Sequence, residues 1–201
     1  MKKVKVLILT VVFLLTMALP AMAQSNSSIY KGSFQGASFY GSEGTVDTYV
    51  DLSTNFEGKD SYILYYQTYD YEKDENYYGS AVVPASQVVF DINKGTVKVN
   101  TTVEVYDFTC DEEGYCTGDE TPAGTKSINL TWAFNSKSYS TSKYTGKNVQ
   151  IDFDQYIKLS KGTFKNYNNV SVSGTIDGKS TDSFEYSGTN VSTGSSFTII
   201  K

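Results

Sequence analysis

Between residues 97 and 105 the chain alternates strictly. Val97, Val99, Thr101, Val103 and Val105 fall on one side, and Lys98, Asn100, Thr102 and Glu104 on the other. Side chains of an extended strand point to opposite surfaces in turn, so a two-residue period buries one face only if the backbone is a strand. The same period returns along the chain. Val46, Thr48, Val50 and Leu52 oppose Asp47, Tyr49 and Asp51, while Tyr62, Leu64 and Tyr66 oppose Ile63, Tyr65 and Gln67. Ile128, Leu130, Trp132 and Phe134 oppose Asn129, Thr131 and Ala133. Val170, Val172, Gly174 and Ile176 form a further run, followed by Phe184 with Tyr186 and Phe197 with Ile199. Helical periodicity is absent after the first 23 residues.

Short polar breaks containing glycine separate these runs. Asn93-Lys94-Gly95, Asp177-Gly178-Lys179, Thr145-Gly146-Lys147 and Ser192-Thr193-Gly194 all have turn chemistry. Runs spaced by roughly 10–15 residues predict about ten to twelve strands, hence an all-β fold: an antiparallel β-sandwich or a soluble β-barrel. In the first strand, over residues 29–41, Gly32 and Gly36 predict bulges or strong curvature. No linker or repeat interrupts the pattern, so residues 24–201 are expected to form a single domain.

Residues 1–23 read as a signal peptide. Lys2, Lys3 and Lys5 precede an apolar stretch from Val6 to Leu19, and Ala21-Met22-Ala23 is a small-residue cleavage box. Cleavage after Ala23 would start the mature chain at Gln24 and send it to a secreted or periplasmic destination. Removing the three leader lysines takes the net charge from −5 to −8. An acidic chain is poorly matched to nucleic acid, whose binding rests on neutralising phosphates. It is equally poorly matched to an anionic membrane surface.

In an oxidising compartment Cys110 and Cys116, separated by Asp-Glu-Glu-Gly-Tyr, are expected to form a disulfide closing a tight hairpin. Around them lie Asp107, Asp111, Glu112, Glu113, Asp119 and Glu120. Such clusters of hard oxygen suit Ca2+, which takes many oxygen ligands in irregular geometry. The alternative is a solvated acidic hairpin tip. A second acidic loop, Asp70-Tyr71-Glu72-Lys73-Asp74-Glu75-Asn76, places oxygen side chains like the first half of an EF-hand loop. Glu75 stands where that loop needs glycine and Ala81 where it needs a bidentate glutamate, so the motif fails.

Tyr62, Tyr65, Tyr66, Tyr69, Tyr71, Tyr77 and Tyr78 crowd around this loop. Gathered on one sheet face they would make a flat amphipathic platform for sugar rings, apolar across the ring and hydrogen-bonding at the hydroxyl. Otherwise they form cross-strand ladders that stabilise hairpins. Trp132, within an alternating apolar run, is expected in the core.

Catalysis has little to draw on. Histidine and arginine are absent from the whole chain. A serine or cysteine nucleophile usually needs a histidine base. Ser–Lys pairs occur at Ser136-Lys137-Ser138 and Ser160-Lys161, and Asp152 and Asp154 form one same-face carboxylate pair. The expectation is a non-catalytic binding or surface-interaction module for a carbohydrate or cell-surface protein. A carboxylate-dependent glycoside hydrolase, a structural or matrix protein, and a small outer-membrane barrel are the alternatives.

Overall fold

The computed structural model describes residues 28–55, 60–73, 75–110, 116–118, 121–152 and 155–200. The strands are β1 (Ser28–Glu43), β2 (Val46–Thr54), β3 (Ser61–Asp70), β4 (Glu75–Pro84), β5 (Val88–Asp91), β6 (Thr96–Cys110) and β7 (Cys116–Gly118). They continue as β8 (Gly124–Ala133), β9 (Tyr139–Asp152), β10 (Gln155–Tyr167), β11 (Ser171–Ile176), β12 (Lys179–Ser180) and β13 (Tyr186–Ile200). The described residues contain no α-helix. The chain is all-β, as its alternation requires.

One antiparallel sheet of 13 strands runs β12-β11-β8-β6-β4-β3-β2-β1-β13-β10-β9, with β5 and β7 pairing onto β6. It curls on itself into a half-barrel. The long strand β6 is the bend, because it pairs with β8 along one edge while β5 and β4 share the other. The inner surfaces of the two limbs therefore meet. Val97, Val99, Val103, Val105, Ile128, Leu130, Trp132 and Ile176 come from one limb; Ala37, Phe39, Val50, Leu52, Leu64 and Val191 come from the other. Burying an aliphatic side chain of this size stabilises by about 1.5–3 kcal/mol. The strict alternation of β6 and β8 thus specifies which face closes inward.

Trp132 crosses the interior. Fully buried, it donates its indole N–H to the Ser38 carbonyl of β1 at 2.9 Å. Phe39 packs edge-on against Phe184 at 5.3 Å, and Lys179 pairs with Glu43, so the β11–β12 end of the sheet also reaches β1. The strands β10 and β9 are joined to this body through β13 and extend the sheet beyond it as a wing.

Two of the predicted turns are turns. Gly95 lies between β5 and β6 at φ 64°, and Asp177-Gly178 between β11 and β12 at φ 52° and 80°. The other two are corrected, since Thr145-Gly146-Lys147 and Ser192-Thr193-Gly194 lie inside β9 and β13. Gly194 is needed there for close approach. It faces Phe164 across the ladder, and a Cβ would stand 2.5 Å from that ring. Tyr144 covers Gly162 in the same way. Nor is β1 bulged, for its register with β13 is unbroken from Ser28 to Ser42. Gly36 makes room for the Phe34 ring instead.

Candidate functional site: an aromatic band on the outer sheet face

Strand alternation sorts the predicted tyrosine group into two. Leu52 pairs with Leu64 and Val50 with Tyr66 on the inner face, so Tyr62, Tyr66 and Tyr77 point inward with them. Tyr66 is buried in the core, and the Tyr62 hydroxyl donates to Gln35 Oε1 at 2.5 Å while its ring stacks on Phe90. Tyr77 sits half-buried beside the Lys126 ammonium, 5.8 Å from its ring centre. Tyr65, Tyr69 and Tyr78 take the outer face of β3 and β4, where the β3–β4 turn adds Tyr71.

That outer face also collects rings from distant parts of the sequence. Tyr40 of β1 packs on Tyr49 of β2 at 4.8 Å and on Tyr186 of β13 at 5.8 Å. Tyr71 packs on Tyr69 at 4.8 Å, Tyr69 on Phe108 at 6.3 Å, Phe108 on Tyr78 at 5.7 Å, and Tyr78 on Tyr106 at 5.9 Å. Two ring clusters result. Asp47 joins them.

The Asp47 carboxylate, 8% exposed, accepts the Tyr40 hydroxyl on Oδ1 at 3.0 Å and the Tyr71 hydroxyl on Oδ2 at 2.6 Å. A buried carboxylate needs hydrogen-bond partners to offset its lost hydration, and two phenols supply them here. Tyr71 is held in reach by its turn. Asp70 accepts the Thr45 hydroxyl and the backbone N–H groups of Glu72 and Lys73, and the Tyr71 N–H donates to the Thr45 carbonyl at 3.0 Å. The loop whose oxygen pattern mimics half of an EF-hand is thus an aspartate-capped turn that presents a tyrosine.

Burial first, and then the Asp47 carboxylate, raise the phenols of Tyr40, Tyr49 and Tyr71 above their ordinary value. The folded protein keeps these protons while the unfolded chain sheds them near pH ~10, so stability falls as pH rises through that point. A near-ultraviolet titration should accordingly find a group of tyrosines that ionises late, or only with alkaline unfolding. In Asp47→Asn the group should ionise earlier; an unchanged profile would show that the carboxylate does not hold these phenols.

Asp51 is the second acid of the band, on β2 between Ser38 of β1 and Tyr65 of β3. Burial alone raises its carboxyl from the ordinary 3.8 to about 6. Tyr49, Tyr71 and Tyr186 remain exposed, at 42%, 63% and 64%, and Tyr65 at 39%. These rings form the accessible surface of the platform, with Asp47 beneath it and Asp51 beside Tyr65.

Elsewhere the sequence candidates separate. Asp107 is exposed on β6, while Asp111, Glu112, Glu113, Asp119 and Glu120 lie outside the described residues. So do residues 1–23 and Asp154. Ser160 and Lys161 are consecutive strand residues on opposite faces, and the Ser160 hydroxyl lies against Thr198 at 3.1 Å. The backbone sets Cys110 directly opposite Cys116 in the β6–β7 ladder.

Sequence reading missed Tyr40, Tyr106, Tyr186 and Phe108 because only long-range pairing brings them to the band. Tyr49 carried a signal, since it shares its alternation phase with Asp47 and Asp51. An aromatic flanked by two acids on the face opposite Val50 and Leu52 marks a surface with its own chemistry.

The fold and this site together define an all-β half-barrel with an aromatic outer surface. Comparison with protein-family models, with curated proteins and with solved structures finds no match.

Proposed function

We propose that the chain is an exported, non-catalytic binding protein whose aromatic band takes carbohydrate. One observation carries this reading: the buried Asp47 carboxylate fixes the exposed Tyr71 and the half-buried Tyr40, against which the exposed Tyr49 and Tyr186 pack. A ring fixed by its hydroxyl loses little conformational freedom on binding, which favours affinity. Its face packs on sugar C–H groups while Asp51 accepts from sugar hydroxyls beside it.

Hydrolysis is less favoured by the same site. Asp47 and Asp51 are four residues apart on one strand, about 13 Å of backbone, longer than the spacing of paired glycosidase carboxyls. The open edge strand β9 favours a self-assembling role, but Lys143 and Lys147 on it oppose edge-to-edge pairing. The leader supports export, and an oxidising destination supports a Cys110–Cys116 disulfide. Directly opposed strand residues have Cα atoms about 4.5–5.5 Å apart, inside the range a disulfide spans. Reduction should then raise the intact mass by two hydrogens; no change would remove the bond from the account.

A glycan array probed with residues 24–201 tests the main proposal. Binding should fall about tenfold or more in Tyr49→Ala, Tyr71→Ala and Tyr186→Ala, with melting temperature preserved. A blank array, or binding indifferent to all three substitutions, would overturn it.

A further inference from the structure

The wing carries a second surface of opposite charge. Its strands lie in unbroken register from Leu159 to Asn166 against both neighbours, so the face of each side chain follows from alternation. Continuing the inner face outward from Ala37 and Val191 gives Lys31, Ser33 and Gln35 on β1 and Thr193, Ser195 and Phe197 on β13. Lys161, Thr163 and Lys165 follow on β10, with Thr141, Lys143, Thr145 and Lys147 on β9. Past the body this surface is uncovered, and Lys31, Lys143, Lys147 and Lys161 are exposed.

Register orders these charges. Lys147 stands opposite Leu159, Lys161 opposite Thr145, Lys143 opposite Thr163, and Lys165 opposite Thr141. One lysine therefore occupies each of four successive levels, alternating between β9 and β10. The levels are about 6.7 Å apart, and the zigzag is about 20 Å long. At three of the four levels a threonine hydroxyl sits beside the ammonium. Lys31 lies in the same row as Phe197 and Lys161. Residues 28–36, 139–147, 159–167 and 192–200 contain no acid to neutralise these lysines. Removing the five positive charges from a net of −5 leaves −10 on the rest of the chain, so charge is strongly segregated. A shallow depression of about 310 Å3 opens along the ladder, lined by Lys143, Thr145, Lys161, Thr163, Ser195 and Phe197 among others.

We propose that this face binds a linear acidic polysaccharide, one carrying carboxylate or sulfate groups along its length. Evenly spaced charge along a straight strand pair matches a polymer with repeating anions. Lysine provides point charges without the directional fork of arginine, so recognition is tolerant of anion geometry. The threonine hydroxyls at three of the four levels can exchange hydrogen bonds with sugar hydroxyls. A single strand of nucleic acid would be expected to stack its bases on aromatic side chains. Here Phe34, Tyr144 and Phe164 lie on the other face, and the two rings on the ladder face that reach solvent, Phe197 and Tyr139, stand at levels six residues apart, about 20 Å, too far for successive bases to stack on both. This second site is separate from the tyrosine band, and its ligand is charged where that of the band need not be.

The test is binding of residues 24–201 to immobilised polygalacturonate. Affinity should fall steeply between about 50 and 200 mM salt, as counterions released on binding become more costly to displace. Lys143→Glu with Lys161→Glu should weaken binding about tenfold or more, and Lys143→Gln with Lys161→Gln by a smaller factor. Lys73→Glu with Lys94→Glu makes the same charge change on turns outside the wing and should leave affinity within about twofold. Melting curves verify folding of each variant. Equal losses in the wing and turn variants would overturn the proposal in favour of nonspecific charge. Competition by oligothymidylate at or below the concentration of free polygalacturonate would overturn it in favour of nucleic acid. Absence of polymer binding, with wild-type dimerisation abolished in the wing variants, would overturn it in favour of a second copy of this chain.

Discussion

Replacing Trp132 by alanine is expected to lower the unfolding free energy by about 3–5 kcal/mol, the range for truncating a large buried aromatic. The side chain has no accessible surface, and it stands between the two limbs of the curled sheet. Alanine would leave a cavity where a side-chain hydrogen bond bridges the limbs. Its neighbours on β6, β8 and β11 are strand residues locked by ladder pairing, so they can close that cavity only in part. Trp132→Phe separates the two contributions. It keeps most of the volume but removes the indole donor from the Ser38 carbonyl, a net hydrogen-bond loss of about 0.5–1.5 kcal/mol. Denaturant unfolding followed by circular dichroism gives both values. A loss below about 1 kcal/mol for Trp132→Ala would show that the limbs hold together without it.

Asp51→Asn should have the opposite sign. The carboxyl is raised to about 6 in the folded protein by burial alone. A folded state that binds its proton more tightly than the unfolded chain gains stability as pH falls and loses it as pH rises. The penalty is therefore absent below pH ~4, grows between about 4 and 6, and is complete at neutral pH. A shift of about two pKa units corresponds to about 3 kcal/mol, of which an amide still lacking good partners should recover about 1–2. Asp51→Asn should melt higher than wild type at pH ~7.5 and match it near pH ~3.5. Equal melting temperatures at both pH values would mean that the carboxylate is solvated after all. Stabilisation accompanied by weaker glycan binding would tie the charge to the platform, because a group that costs stability and is kept belongs where binding needs it.

Much of this architecture was legible in the chain, and the limits were physical. The phases of β2, β3, β6 and β8 follow from aliphatic residues on one side and charged or polar ones on the other. Tyrosine blurs that signal, being equally at home against a core and against water. Tyr62 and Tyr66 therefore could not be told from Tyr65 and Tyr69 without knowing that Leu64 points inward. Glycine misled for a related reason. Gly194 in a Ser-Thr-Gly segment has turn chemistry, yet a glycine under an aromatic ring looks the same in one strand's sequence, since the ring belongs to Phe164 on another. The band itself was least accessible. It assembles Tyr40, Asp47, Tyr71, Phe108 and Tyr186 through pairings that only the folded sheet makes. The lysine ladder had a visible trace in the i, i+4 spacings of Lys143 with Lys147 and Lys161 with Lys165, an even offset that returns a strand side chain to the same face.

The position of β13 sets a timetable for folding. It is the seam between β1 on one side and β10 on the other, and it brings residue 28 beside residue 200. Pairing so distant in sequence must overcome a large loop-closure entropy before any contact rewards it, which makes assembly slow relative to sheets built from hairpins alone. Hairpins such as β3–β4 can form while the chain is still emerging, but the wing has no strand of the body to pair with until β13 arrives. Of the thirteen strands, the one latest in sequence is thus the one that locks the wing to the body.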